Sequence, residues 1–292
     1  MKAMLSTVCA LLFAHCAWSE TVERSAEASP TGEVEIVNVA GDVRVIGWER
    51  RQIQVKADLG RGVERLEFER KGDRTLIEVK LPRNSGSSGS SSLVVQIPQG
   101  SALRINTVSA DQSIENVRGE QRLQSVSGEI DTQVWNKDFE AKSVSGEITV
   151  RGQGQRGSMR VSSVSGEIVI DNHAGELDLS TVNGAIQVDA NELSRARLKT
   201  TNGEAQLTAS LASDARVDAE TINGEINLFL RGDLNAEFDI ETFNGQIDNC
   251  FGPEPQRTSK YAPGRALRFK EGKGGARVRL KTLNGAIELC RK

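Results

Sequence analysis

Five glutamates each stand directly after a glycine, at steps of 18, 20, 37 and 21 residues: Glu129, Glu147, Glu167, Glu204 and Glu225. Carboxylates gathered on one face would be hard oxygen ligands suited to calcium. Three features argue against that use. Like charges one repeat apart repel by about 1 kcal/mol in a water-like dielectric. Ala185 and Ala286 interrupt the row, and the Gly-Gly-x-Gly-x-Asp nonapeptide of calcium-binding β-rolls is missing. The row therefore reads as a solvated acidic face, and no metal ligand or cofactor is assigned. A nucleophile–histidine–carboxylate triad would have to use His15 or His173, the only two histidines. His15 lies in an N-terminal apolar stretch, and His173 falls in a variable bend without a recurrent partner. His173 is read as exposed and non-catalytic, so no catalytic residue is assigned. Charge is the remaining lead. Between 251 and 281 lie Arg257, Lys260, Arg265, Arg268, Lys270, Lys273, Arg277, Arg279 and Lys281 against Glu254 and Glu271. Arg257, Lys260, Arg265, Arg268, Lys270 and Lys273 could form a basic surface for an anionic envelope partner, although a solvated face is the simpler reading.

The elements that carry these residues follow from a repeat. The pattern [ST]-x-[SN]-G occurs eight times, with its glycines at 128, 146, 166, 184, 203, 224, 245 and 285, and a degenerate copy spans 107–110. Two and four residues after each glycine stand mostly Ile, Val or Leu, such as Ile148 and Val150 or Ile226 and Leu228. The fifth residue before it is often aliphatic as well. Period-two alternation on both sides of a Ser-Gly or Asn-Gly corner gives two short strands per repeat. A repeat of this length cannot bury its apolar face alone and must stack on its neighbours. The fold expected is all-β: a β-solenoid of about 20-residue, two-strand coils over 109–292, with the basic excursion at 251–281. The corner glycines are expected to supply positive φ, and stacked asparagines to bond to one another. The Ser/Thr three residues before each glycine could point inward or lie beside the asparagines; the spacing leaves both open.

Composition agrees with this architecture. There are 28 Gly and only 3 Trp, 1 Tyr and 8 Phe among 292 residues, so a large ring-filled core is excluded. A net charge of −3 does not suggest a nucleic-acid partner. Cys250 and Cys290 each lie five residues after a corner glycine. Equivalent positions on neighbouring coils are about 4.8 Å apart, within disulfide reach, and odd offsets face outward, so an exposed disulfide between them is expected, unless the segment between them forms a whole coil and sets them two rungs apart. The segments 266–270 and 276–282 look like a hairpin capping the C-terminal end. Residues 20–108 keep strand alternation but lose the period; they read as an atypical β cap, with a separate small domain as the alternative and a mobile loop at 83–92. Residues 1–19 have one early cation, an apolar run, and Ala17-Trp18-Ser19 before Glu20, the layout of a cleaved signal peptide. Lipid attachment at Cys16 is disfavoured by the bulky His15 before it. Cleavage would remove Cys9 and Cys16, leave no transmembrane segment, and place the chain in the periplasm or at the cell surface.

The Ser-Val-Ser-Gly-Glu-Ile, Thr-Val-Asn-Gly-Ala-Ile and Thr-Ile-Asn-Gly-Glu-Ile copies resemble a bacterial "putative-adhesin" domain family of stacked β-repeats with no assigned function. Gly41-Asp42-Val43, Gly47-Trp48 and the stretches 81–83 and 97–98 are similar too, so the resemblance covers roughly 32–289. It implies an exported β-solenoid of the cell envelope, binding a protein or glycan partner, with no catalytic residues to carry over. Two other readings are a carbohydrate-active β-helix enzyme and a periplasmic accessory to a signalling or transport system. Oligomeric state is not readable from the sequence.

Overall fold

The computed structural model describes residues 20–82 and 89–292. The expected signal peptide lies outside the described residues, as does most of the loop expected at 83–92. The chain is all-β, and among the described residues there is no helix long and apolar enough to cross a membrane.

Two ladders of parallel strands run through the molecule. One comprises Gln121–Gln124, Phe139–Lys142, Arg156–Ser162 and the second halves of Ile168–Ser180, Ile186–Lys199 and Ala205–Asn223. The other comprises Ile130–Val134, Ile148–Gly152, the first halves of those same three long strands, and Ile226–Leu230. Each pair is offset by one repeat, as in Ile130↔Ile148↔Ile168↔Ile186↔Ala205↔Ile226. Alternate side chains from both ladders point between them and form one core of Ile, Val, Leu and Ala. The ladder of small aliphatics leaves little width for rings, which explains the sparse aromatics.

At the N-terminal end, Glu33–Trp48 lies parallel along nearly all of Ala102–Glu115. Arg74–Lys80 pairs with its first half and Ser90–Pro98 with its second, both in parallel. Outside these, Arg65–Lys71, Gln52–Leu59 and Glu20–Glu27 add on antiparallel. The two outermost strands, Glu20–Glu27 and Arg65–Lys71, are rich in charge and mostly exposed or half-buried. Charged edges of this kind resist pairing with another chain.

The C-terminal end departs from chain order. Strand Ala276–Asn284 lies between Ala205–Asn223 and Ala236–Asn244, parallel to both. Likewise Ile287–Arg291 lies between Ile226–Leu230 and Ile247–Asn249. The last repeat is thus inserted beneath the one that precedes it in sequence. The expected hairpin does not form: Arg265–Glu271 and Ala276–Asn284 do not pair but flank Ala236–Asn244 on opposite sides. The capping role does hold, because Arg265–Glu271 runs antiparallel along the final rung and places Phe269 on Phe238, ring centroids 4.6 Å apart. Phe251 completes a three-ring plug, 5.8 Å from Phe238 and 6.0 Å from Phe269.

Outward charges account for the insertion. One position across the stack reads Glu35, Arg104, Arg122, Glu140, Arg160, Asp178, Arg197, Asp218, Arg279, Asp239, Arg268. Its sign alternates at every step except Arg104 to Arg122. Stacking in chain order would set Asp218 against Asp239 and Glu220 against Glu241. Like charges directly opposite one another destabilise a sheet, whereas opposite charges contribute roughly 0.2–1 kcal/mol per pair. Inserting Arg279 and Lys281 between the two acidic strands converts repulsion into attraction on both sides.

Candidate interaction surface

Each corner is built from one polar residue turned in and one apolar residue turned out. The Ser/Thr column is buried, which decides the alternative left open by the spacing. In the serine copies the hydroxyl accepts from the glycine amide three residues on: Gly128 N–H to Ser125 Oγ at 2.8 Å, Gly146 to Ser143 at 2.9 Å, Gly166 to Ser163 at 2.8 Å. In the threonine copies the hydroxyl donates to the glycine carbonyl of the adjacent rung, as in Thr282 to Gly224 at 3.1 Å and Thr242 to Gly285 at 3.0 Å. The asparagines form the expected ladder. Asn202, Asn223, Asn284 and Asn244 each donate to the next Asn at 2.8–2.9 Å, and the order runs through the inserted rung.

The corner glycines need correction. Positive φ occurs at other glycines, such as Gly41 and Gly232, and not at the corners. What the corners require is close approach. A Cβ on Gly146 would overlap the carbonyl oxygen of Gly128, one on Gly224 that of Gly203, and one on Gly245 that of Gly285. Glycine sits on glycine up the column from Gly146, while Gly128 at its foot meets Ala110.

Between the inward Ser/Thr and the Asn ladder, the middle residue of each motif projects outward. Val108, Val126, Val144, Val164, Val182, Ile222, Leu283 and Phe243 are each 42–47% exposed, with Thr201 filling the gap in the row. Beyond the glycines, Glu129, Glu147, Glu204 and Glu225 are exposed and Glu167 half-buried. Glu147, Glu167 and Glu204 accept hydrogen bonds from Thr149, Gln187 and Asn227. The sequence reading passed over the apolar ridge because each copy contributes only one aliphatic residue. The signal was present at the x of the corner motif, where Val occurs five times in 108–182.

His173 is the clearest departure from expectation: it is 2% exposed, not solvent-facing. Asn172 adopts φ 54°, and the register against the next strand shifts between Asp171 and His173, so alternation slips by one and the ring turns inward. Small residues make room for it: Ala190 is its partner on one side, and Gly152 approaches its backbone on the other. Neither ring nitrogen has a hydrogen-bond partner. Burial pushes its pKa below the usual histidine value; the backbone of Glu176 and Gly157, near the ring but outside bonding geometry, opposes this. The folded state therefore binds less proton than the unfolded chain. This group's contribution is intact above the unfolded pKa of about 6.5 and is lost as pH falls below it. In His173→Leu that part of the acid sensitivity should vanish. Urea midpoints for both proteins, taken at about pH 7.5 and about pH 5, check it, and an equal decline in the two would refute it.

The structure divides the basic residues of the excursion. Arg268 pairs with Asp239 at 2.7 Å and Glu241 at 2.8 Å, and Lys270 with Glu237 at 2.5 Å, so these two are neutralised across the cap. Arg257 lies opposite Arg265 in a short antiparallel pairing, and Lys260 sits over the Tyr261 ring at 5.8 Å. Lys273 is exposed in the turn, its amide bonded to Asn235 Oδ1 at 3.1 Å. Cys250 and Cys290 are joined, with Cα atoms 4.9 Å apart, Cys250 exposed and Cys290 half-buried.

The rung-by-rung corner motif now has a counterpart among known families, for the family described as Toastrack DUF4097 matches residues 33–289. The chain belongs to it. The Toastrack DUF4097 match spans the N-terminal strands, the corner ladder and the inserted final rung together. Among curated proteins none matches. Solved structures to which the chain is similar include a "putative lipid binding protein" of Parabacteroides distasonis ATCC 8503, 13% identical over 92% of this chain and 96% of that one, TM-score 0.48. A "putative adhesin" of Bacteroides fragilis NCTC 9343 is 11% identical over 93% and 98%, TM-score 0.36. One of Parabacteroides merdae ATCC 43184 is 12% identical over 92% and 96%, TM-score 0.35. At these values the likeness says nothing of what this Toastrack chain binds.

Proposed function

We propose that this chain is an exported, non-enzymatic protein of the cell envelope, and that its rungs wind as a β-solenoid whose corner face docks a protein partner. The observation that carries the reading is the apolar ridge. A row of eight large aliphatic or aromatic side chains stays nearly half exposed, whereas most other Ile, Val and Leu of the described residues are buried. Aligned apolar surface of this extent is the mark of an interaction site. A rigid hydrogen-bonded ladder beside it holds the row straight at low entropic cost to binding. Regularity supports a scaffold and not a catalyst, since a catalytic site needs one locally distinct constellation.

The test uses the immobilised protein against envelope fractions and a glycan array. Capture of a discrete protein partner should be lost in Val126→Asp/Val144→Asp/Val164→Asp and retained when Arg257, Lys260 and Arg265 are neutralised. Capture indifferent to the ridge variant, or turnover of any glycan, would overturn the proposal. N-terminal sequencing of the envelope-fraction protein should begin at Glu20.

A further inference from the structure

The corner column is most irregular at its C-terminal end, and there a groove of about 660 Å³ opens beside it. One wall is the ridge where valine gives way to larger residues: Ile222, Leu283 and Phe243. The other wall carries Lys199, Glu220, Lys281 and Glu241, and the excursion overhangs it with Thr258, Gly264 and Arg265. The bond from Thr258 N–H to the Gly264 carbonyl at 2.9 Å closes the excursion on itself. From Thr181 to Thr242 the groove crosses five rungs, or about 19 Å at the usual strand spacing.

The charges in this groove do not cancel. Lys199 is paired with Glu220 at 3.1 Å, which holds that carboxyl below its usual pKa, and Glu241 is paired with Arg268 at 2.8 Å. Arg265 and Lys281 have no ion pair among the described residues, and Lys199, Lys281 and Arg265 outnumber Glu220 and Glu241, so the groove keeps a net positive charge. Its floor offers an extended peptide nothing to bond. The backbone amides there are spent between rungs: Thr181 to Lys199, Thr200 to Glu220, Asn202 to Val182 and Asn223 to Thr201, all at 2.8–3.0 Å. A ligand that matches the groove is apolar where it lies along Ile222, Leu283 and Phe243 and anionic where it meets Arg265 and Lys281.

We infer that this groove binds an amphiphilic anion: an aliphatic chain ending in a carboxylate or phosphate. The groove shares Ile222, Leu283 and Phe243 with the ridge but adds Arg265 and Lys281 and uses none of the valines, so the valine variants and the groove variants test the two sites separately.

Titration calorimetry of the purified protein tests it with palmitate below its micellar concentration, monopalmitin (the same chain without charge) and inorganic phosphate (charge without the chain). Vesicles with and without phosphatidic acid form a parallel arm. Palmitate should bind, with monopalmitin and inorganic phosphate weaker by about tenfold or more, the usual size of a charge-assisted contact. Binding to phosphatidic acid vesicles but not to palmitate would make a lipid headgroup the source of the anion, and the reverse a free acid. Arg265→Ala/Lys281→Gln should lower palmitate affinity by about tenfold while leaving that for monopalmitin unchanged, a pattern that misfolding could not produce. Phe243→Ser should weaken both, and Val144→Ser, remote on the same ridge, neither. No binding of either anion, or equal loss in Phe243→Ser and Val144→Ser, would overturn the inference.

Discussion

Replacing Gly224 with alanine is expected to cost about 3 kcal/mol or more, at the high end for a single methyl group. The added Cβ would overlap the carbonyl oxygen of Gly203, and the Gly224 carbonyl is itself approached by Gly285 from the other side. Backbone pinned on both faces cannot move aside without breaking ladder bonds, so the strain has no cheap outlet. Gly232→Ala is the control. Its φ of 79° disfavours a side chain, yet nothing lies within 4 Å of the new Cβ, so only the conformational cost of about 1 kcal/mol applies. Urea unfolding of the two variants should therefore separate widely. If Gly224→Ala unfolds at the same urea concentration as Gly232→Ala, close approach is not what selects glycine at the corners.

The second large effect belongs to the Cys250–Cys290 disulfide. Its residues are 40 apart in sequence and close the loop that contains the excursion, the cap and the inserted strand Ala276–Asn284. The chain-entropy account gives about 4 kcal/mol for a loop of this length. Cys250→Ser/Cys290→Ser should lower the unfolding free energy by that order, and dithiothreitol should bring the native protein down to the variant's level without affecting the variant. Two free thiols in the purified native protein, or coincident unfolding curves, would contradict this.

The corner motif and the alternation around it made the ladders, the buried aliphatics and the Asn contacts legible in the sequence, because all three depend on spacing; the disulfide followed from the equal five-residue offsets of its cysteines only if no whole coil intervened. The order of the last rungs was not legible in that way. A 40-residue step between Gly245 and Gly285 looks like two periods, and spacing does not say on which side of a rung the next one docks. The deciding information lay in the signs of Asp218, Arg279 and Asp239, which become informative only once the register is known. His173 escaped for a local reason, since a single positive-φ Asn172 reverses the alternation that the bends otherwise follow. The groove escaped because its walls come from segments distant in sequence, with Arg265 on the excursion and Ile222 on a corner.

The inserted rung also constrains how the chain is assembled in time. A stack built in the order of synthesis would seal Ala236–Asn244 onto Ala205–Asn223 as soon as both had emerged, and the final strand would then find its slot occupied. In the native arrangement that slot must stay open until the last residues arrive. Residues 276–291 thus act as a keystone, and this end of the stack closes only once they have emerged, after the rung at 236–249 that they precede in space.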